Sequence, residues 1–227
     1  MTSRHNTRNL RENVRKWGAS LIGFADLGGI VSNPFDQLPY GVSIGVRLSD
    51  RIVDELVTGP TKAYAYHYHV VNRFLDDLSL RATNLLQEWG FNALPIPTSQ
   101  TVNVEEHKGH LSHKMVATRA GMGWIGKSAL LITPEFGPRI RLTTILTSMP
   151  LQTGKPVEES LCENCQACVE ACPVKAIRGK DWSLTVERED LLDVDQCAKR
   201  VDQEKVALGA PVCGVCVRIC PKGKRTL

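Results

Sequence analysis

The chain has 227 residues, 42% hydrophobic and 23% charged, the balance of a globular protein that can bury a core without disulfides. Its 28 Lys+Arg against 24 Asp+Glu leave +4, too mild an excess to imply nucleic acid. No run of about 18 uncharged apolar residues occurs, and the polar start, Met1 to Arg8, carries neither an apolar signal core nor a twin-arginine signal. This predicts no contact with a membrane and a place in the reducing cytoplasm.

The spacing predicts a helix near Leu10–Trp17, ended by Gly18, then strands over Ser20–Ala25 and Val42–Val46. Gly59-Pro60-Thr61 opens a further helix. Its apolar stripe, Val71, Leu75, Leu78, Ala82, Leu85 and Trp89, recurs at helical spacing, and Gly90 closes it. Tyr64, Tyr66 and Tyr68 interleave with His67 and His69 at period two, which fits either a strand or a helix start. They read as packing surface or as pocket lining. Asn92–Pro97 fits a short edge strand, since its prolines cannot donate to a ladder. His110–Ala120 reads as a helix, and Ser128–Thr133 and Ile140–Thr147 as strands, the last rich in β-branched residues. Residues 1–150 thus form a mixed α/β domain. Residues 151–227 form a second domain that holds every cysteine.

The second domain contains a repeat. Cys165-x2-Cys168-x3-Cys172-Pro173 recurs as Cys213-x2-Cys216-x3-Cys220-Pro221. Cys162 precedes the first copy at spacing three, but its equivalent in the second copy is Ala210, which leaves Cys197 as the spare thiol. Cys162-x2-Cys165-x2-Cys168-x3-Cys172-Pro173 is the bacterial two-cluster ferredoxin spacing. Three cysteines at spacing three wrap one cubane, and the fourth is carried away on a helix to ligate the other cluster. One [4Fe–4S] cluster then takes Cys162, Cys165, Cys168 and Cys220. The other takes Cys172, Cys197, Cys213 and Cys216. Zinc does not require this pattern, since its sites favour CxxC pairs or Cys/His mixtures. Clusters store single electrons, and the cysteine-free portion is far longer than a bare electron carrier needs. That length predicts a second cofactor.

Gly121-Met122-Gly123-Trp124-Ile125-Gly126 matches GxGxxG, but the order is reversed, with a helix before it and a strand after it. A dinucleotide fingerprint must follow a strand and open a helix. The turn either permits close approach to a ligand, with Lys127 neutralising a phosphate, or is a packing turn.

The stretches Ala120–Lys127, Leu130–Leu142 and Cys162–Pro173 together resemble the epoxyqueuosine reductases and the related reductive dehalogenases. Gly-Trp-Ile-Gly-Lys is closer to the former and Thr-Pro-Glu-Phe-Gly-Pro-Arg to the latter. The resemblance is strong over about 105–227 and loose before it. It implies an α+β fold, a nitroreductase-like mixed-sheet domain followed by a ferredoxin-like two-cluster domain. It further implies cobalamin held base-off between the domains, reduced through the clusters and in turn reducing the substrate.

On the resemblance, cofactor contacts fall on Gly121, Gly123, Trp124, Gly126, Lys127, Ser128, Thr133, Arg139 and Arg141, with Lys114 nearby. The proton-donating aspartate of epoxyqueuosine reductases falls on His107 by ungapped count, flanked by Glu105 and Glu106. His107, His110 and His113 stand at spacing three and on a helix would share one broad face. Their near-neutral titration, or the carboxyl of Glu106, suits proton delivery.

The chain therefore reads as a corrinoid-dependent reductase of a small molecule. FMN is the alternative second cofactor. The alternative role is an electron-transfer or reductive-activation protein serving a separate corrinoid enzyme. The +4 balance argues against tRNA as a partner. The basic Arg218, Lys222, Lys224 and Arg225 would dock an acidic low-potential donor such as ferredoxin or flavodoxin.

Overall fold

The computed structural model describes residues 2–30, 35 and 37–223. They pack as two compact units, neither continuous in sequence. The first is Met1–Val46, Asn72–Met122 and Arg141–Val157; the second is Arg47–Val71, Gly123–Ile140 and Glu158–Leu227.

The first unit is built on a four-stranded sheet of order β1-β2-β6-β3. Its strands are β1 (Leu21–Asp26), β2 (Tyr40–Arg47), β3 (Ala93–Ile96) and β6 (Ile140–Thr147). β1 runs antiparallel to β2, from Leu21 opposite Gly45 to Asp26 opposite Tyr40. β3 runs antiparallel to β6 and is the outer strand, where the missing N–H of Pro95 is tolerated.

Helix α1 (Ser3–Lys16) starts at Thr2, whose hydroxyl accepts from the His5 N–H, and ends with Arg15 and Lys16 at the negative pole of the helix. Its buried Leu10 and Val14 face the core. Helix α3 (Lys62–Glu88) spans 27 residues. Its core side chains are Leu75, Leu78, Ala82 and Leu86, so the stripe turns onto Leu86, and Leu85 and Trp89 are only half-buried.

Helix α4 (His113–Arg119) packs on β1. Glycines in the strands make room for this segment. A Cβ on Gly23 would stand 2.7 Å from the Met122 side chain, and one on Gly41 2.7 Å from that of Val116. α4 begins three residues later than the sequence predicts, because the Ser112 hydroxyl accepts from the Met115 N–H and caps it there.

The second unit holds short elements: α2 (Asp50–Asp54), β4 (Trp124–Ile125), β5 (Leu131–Ile132), α5 (Ala167–Ala171), α6 (Arg188–Leu191), α7 (Val194–Leu208) and α8 (Val215–Ile219). β4 and β5 pair antiparallel. The expected strand over Ser128–Thr133 shrinks to Leu131–Ile132. The chain turns first at Ala129, which has φ +56 and donates to the Gly126 carbonyl, and again between Thr133 and Gly137.

The described residues of this unit include two small apolar clusters. Ile125, Ala129 and Leu191 pack with Trp182, Val186 and Leu192. Cys172, Ala176 and Ile177 pack with Val169, Val174 and three further cysteines. No helix among the described residues is long and apolar enough to cross a membrane.

Candidate functional site

All eight cysteines are free thiols in the second unit. The two copies of the repeat build two five-residue helices, α5 and α8, that pack against each other. Each helix is stopped by its last cysteine. Cys172 and Cys220 are extended (ψ 116 and 125), as the proline after each requires.

The thiols fall into two neighbourhoods. Burial raises the Cys168 thiol to about 11, and the nearby Cys162, Cys220 and Cys165 add to it, in that order. Burial also raises Cys216, followed by Cys213, Cys197, Cys168 and Cys172. Cys197 is raised by burial and then by Cys213 and Cys172. Cys168, Cys197 and Cys216 all pack directly on the apolar cluster of Cys172. Cys168 belongs to both sets: Cys162, Cys165 and Cys220 act on it, and it acts on Cys216 together with Cys172, Cys197 and Cys213.

Thiols crowded and buried in this way resist ionisation until a cation replaces their protons. Among the described residues no three His, Cys, Asp or Glu side chains converge closely enough for a single metal ion. A cubane does not need that convergence, because each of its four thiolates takes a different iron. The donor set therefore fits two [4Fe–4S] clusters.

The glycine turn is filled by the protein itself. A Cβ on Gly121 would lie 2.7 Å from the Lys155 carbonyl oxygen, and one on Gly123 2.1 Å from that of Ile132. One on Gly126 would meet the Ile132 side chain at 2.7 Å and the Cys162 Sγ at 3.3 Å. The neighbouring polar residues are engaged as well. Lys127 is 3% exposed, and its Nζ donates to the Glu163 carbonyl at 2.7 Å and lies 3.6 Å from Asp181. Arg139 is 1% exposed and forks onto Asp50 at 3.3 Å and Asp54 at 2.7 Å.

Arg141 donates from Nε to Asn72. The Thr133 hydroxyl accepts from the Phe136 N–H and donates to the Gly137 carbonyl. Ser128 is buried. Trp124 differs: its indole Nε1 is buried without a hydrogen-bond partner, as are Arg139 Nε, Ser43 Oγ and Thr98 Oγ1. A large amide-bearing cofactor would find an open donor at Trp124, whereas Lys127 and both terminal nitrogens of Arg139 are held by protein groups.

The three histidines among the expected proton donors do not share a helix face. His107 has φ +50 and lies in a tight turn in which Asn103 and Lys108 pair. Glu106 in the same turn bonds Lys108 at 2.7 Å. His110 is exposed, with its ring edge-on to Phe35. Only His113 is helical, and both of its ring nitrogens are used. Pro97 offers only a carbonyl, 3.1 Å from Nε2, so that nitrogen carries the proton. Nδ1 then accepts from the Thr144 hydroxyl at 2.9 Å. Burial holds His113 below its ordinary range; the Pro97 carbonyl offsets part of this, Arg141 adds to it and Asp76 opposes it.

Tyr64 and Tyr66 both lie on helix α3, the first buried and the second exposed. The Arg218 Nε donates to the Asp54 carbonyl at 3.1 Å, and Lys224 and Arg225 lie outside the described residues. Sequence reasoning missed the partners of Arg139, although Asp50 and Asp54 stand at helical spacing four. It also missed Glu163, a non-glycine residue at φ +52 whose carbonyl receives Lys127.

Residues 161–223 match the family model described as a 4Fe-4S double cluster binding domain. An epoxyqueuosine reductase from Bacillus cereus is 34% identical over 127 residues, 51% of this chain and 30% of its own length. A tetrachloroethene reductive dehalogenase from Sulfurospirillum multivorans is 35% identical over 113 residues, 46% of this chain and 22% of its own length.

Among solved structures, a reductive dehalogenase described with B12-dependent dehalogenation covers 99% of this chain at TM-score 0.77 and 16% identity, over 32% of its own length. An epoxyqueuosine reductase solved with a modified tRNA stem loop covers 96% at TM-score 0.62 and 20% identity, over 65% of its own length. At such identities the structures show the fold. The expected resemblance and the α+β fold with a ferredoxin-like double-cluster domain are borne out. The chain spans less than a third of the length of the two curated relatives.

Proposed function

We propose that this protein is an iron–sulfur oxidoreductase that takes single electrons onto two [4Fe–4S] clusters and passes them to a second, substrate-reducing cofactor. The observation that carries this reading is the packing of the two cysteine repeats against each other through α5 and α8, within a stretch that matches a double-cluster binding domain. The functional division assigns residues 1–150 to the second cofactor and substrate, and 151–227 to electron entry.

A corrinoid is the second cofactor favoured by the likeness to epoxyqueuosine reductase and reductive dehalogenase. Such a group, when bound, supplies low-potential reduction of a substrate bond. Of the expected contact residues, Trp124 would hold it through its open Nε1. The exposed turn with Glu106 and His107, followed by His110, supplies the candidate proton donors, since His113 has spent both nitrogens. FMN remains the alternative cofactor.

The alternative role, an electron carrier for a separate corrinoid enzyme, draws support from the protein partners already held by Lys127 and Arg139. A tRNA stem loop bound to one structural relative brings tRNA back beside small molecules as a substrate class, which charge alone argued against. The place of action in this proposal is the cytoplasm, with a ferredoxin- or flavodoxin-like donor.

The test is anaerobic reconstitution with iron and sulfide, followed by titration with cobalamin and, separately, with FMN. A tight cobalamin complex whose absorbance changes on reduction supports the reading. A loaded protein that binds neither cofactor rejects the reductase in favour of the carrier.

A further inference from the structure

From the buried contacts of Lys127 we infer that this lysine sets the reduction potential of the cluster held by Cys162, Cys165, Cys168 and Cys220. The inference rests on the two-cluster reading above. Three observations converge on it. The Lys127 side chain is 3% exposed, yet among the described residues its nearest carboxylate, Asp181, stands at 3.6 Å, beyond hydrogen-bonding distance. Its Nζ donates instead to the carbonyl of Glu163, at 2.7 Å, inside the loop between the first two ligands, Cys162 and Cys165. The residue before it, Gly126, lies against the first ligand itself, since a Cβ there would stand 3.3 Å from Cys162 Sγ.

The loop is held in a conformation that a free chain avoids. Glu163 has φ +52, and the Cys165 N–H closes back onto the Cys162 carbonyl at 3.1 Å. A single buried ammonium thus both pins this turn and places a positive charge against the loop that carries the first two ligands. Asp181, 3.6 Å away, is 54% exposed, so solvent weakens its compensation. Water is largely excluded around Lys127, and a charge in such a place acts more strongly than on the surface.

The electrostatic consequence has a definite sign. One electron from the external donor enters the cluster, and no bond is made or broken. The cluster with four thiolates gains negative charge on reduction. A nearby cation stabilises the reduced form more than the oxidised form and raises the potential. Asp181 acts in the opposite sense. Both partners of Lys127 lie outside the second quartet, so the effect falls on one cluster of the two. Lys127 is a positioning residue in this account, acting through the Glu163 carbonyl and through its charge.

The experiment is a dithionite titration of the anaerobically loaded protein followed by electron paramagnetic resonance, with iron content measured on every sample. Lys127→Gln keeps an N–H donor for the Glu163 carbonyl but removes the charge. It should shift one of the two midpoint potentials downward and leave the other in place. Lys127→Arg keeps the charge and should stay near the wild type. Asp181→Asn should shift the same potential upward.

Two unmoved potentials in a fully loaded Lys127→Gln protein overturn the inference, as do shifts of the same sign in Lys127→Gln and Asp181→Asn. Should Lys127→Gln take up no iron, Asp181→Asn decides alone: an upward shift supports the role and an unmoved potential overturns it. A wild-type protein that loads no clusters rejects the two-cluster reading instead, and its iron content shows this before any variant is made.

Discussion

Gly137 and Gly223 meet backbone to backbone. A Cβ on Gly137 would stand 1.9 Å from the Lys222 carbonyl oxygen, and one on Gly223 2.0 Å from the Phe136 carbonyl carbon. Both residues have positive φ, +54 and +76. The contact ties the Thr133–Gly137 turn to the segment that follows Cys220 and Pro221. A side chain at Gly223 costs about 1–2 kcal/mol for the left-handed backbone alone, and the clash with backbone adds to it. Gly223→Ala should therefore lower the melting temperature and loosen the cluster that uses Cys220. Gly29→Ala is the control: φ is +73 there but nothing stands within 4 Å, so only the conformational cost applies. Thermal unfolding of both variants, with iron content, separates the two effects.

Cys197 lies on α7, far in sequence from either repeat, yet its thiol is within electrostatic reach of Cys213 and Cys172. Cys197→Ala should remove one cluster and leave the other, a loss of about four irons per chain. Cys162→Ala should remove the complementary cluster. The two variants should have different paramagnetic resonance spectra, and identical residual spectra would contradict the assignment.

His113 makes stability depend on pH. Burial, the largest influence on it, lowers its titration point below the ordinary value of about 6.5. Below that value the unfolded chain takes up a proton that the folded chain refuses. Stability is therefore flat above about pH 6.5 and falls as the pH drops from there toward the folded value. His67, also lowered by burial, contributes in the same direction. His113→Gln should reduce the acid slope without abolishing it, as read from urea midpoints between about pH 5 and 8.

Arg139 is the largest fully buried side chain of the described residues. Its fork holds Asp50 and Asp54 of α2 within the second unit. Removing one partner of a buried ion pair costs about 3–5 kcal/mol. Asp50 and Asp54 are 37% and 54% exposed and can be rehydrated, so Arg139→Met should fall at the low end, about 3 kcal/mol. Lysine cannot fork onto two carboxylates, and Arg139→Lys should recover little of the loss. Denaturant unfolding measures both.

The cysteine pattern made most of the candidate centre legible. Spacing and the trailing prolines carry the ligand logic, and the vacancy at Ala210 points to Cys197 by count alone. The elements around the first unit were legible for an equally local reason: Gly18, Gly90 and the β-branched run at 140–147 punctuate the chain where it turns. Three things were not legible. Whether the histidines at 107, 110 and 113 share a helix depends on where α4 starts, and Ser112 fixes that through one hydrogen bond. The glycines at 121, 123 and 126 admit protein rather than ligand because of Lys155 and Ile132, which sequence spacing cannot bring near them. The commitments of Lys127 and Arg139 are contacts over 36 and 85 residues of sequence, beyond any local pattern.

The most direct test of the central claim is metal and sulfide analysis of the protein purified and reconstituted without oxygen. The two-quartet account predicts about eight irons and about eight sulfides per chain, the content of two cubanes. Zinc in place of iron, or about four irons held by the wild-type protein, would contradict it.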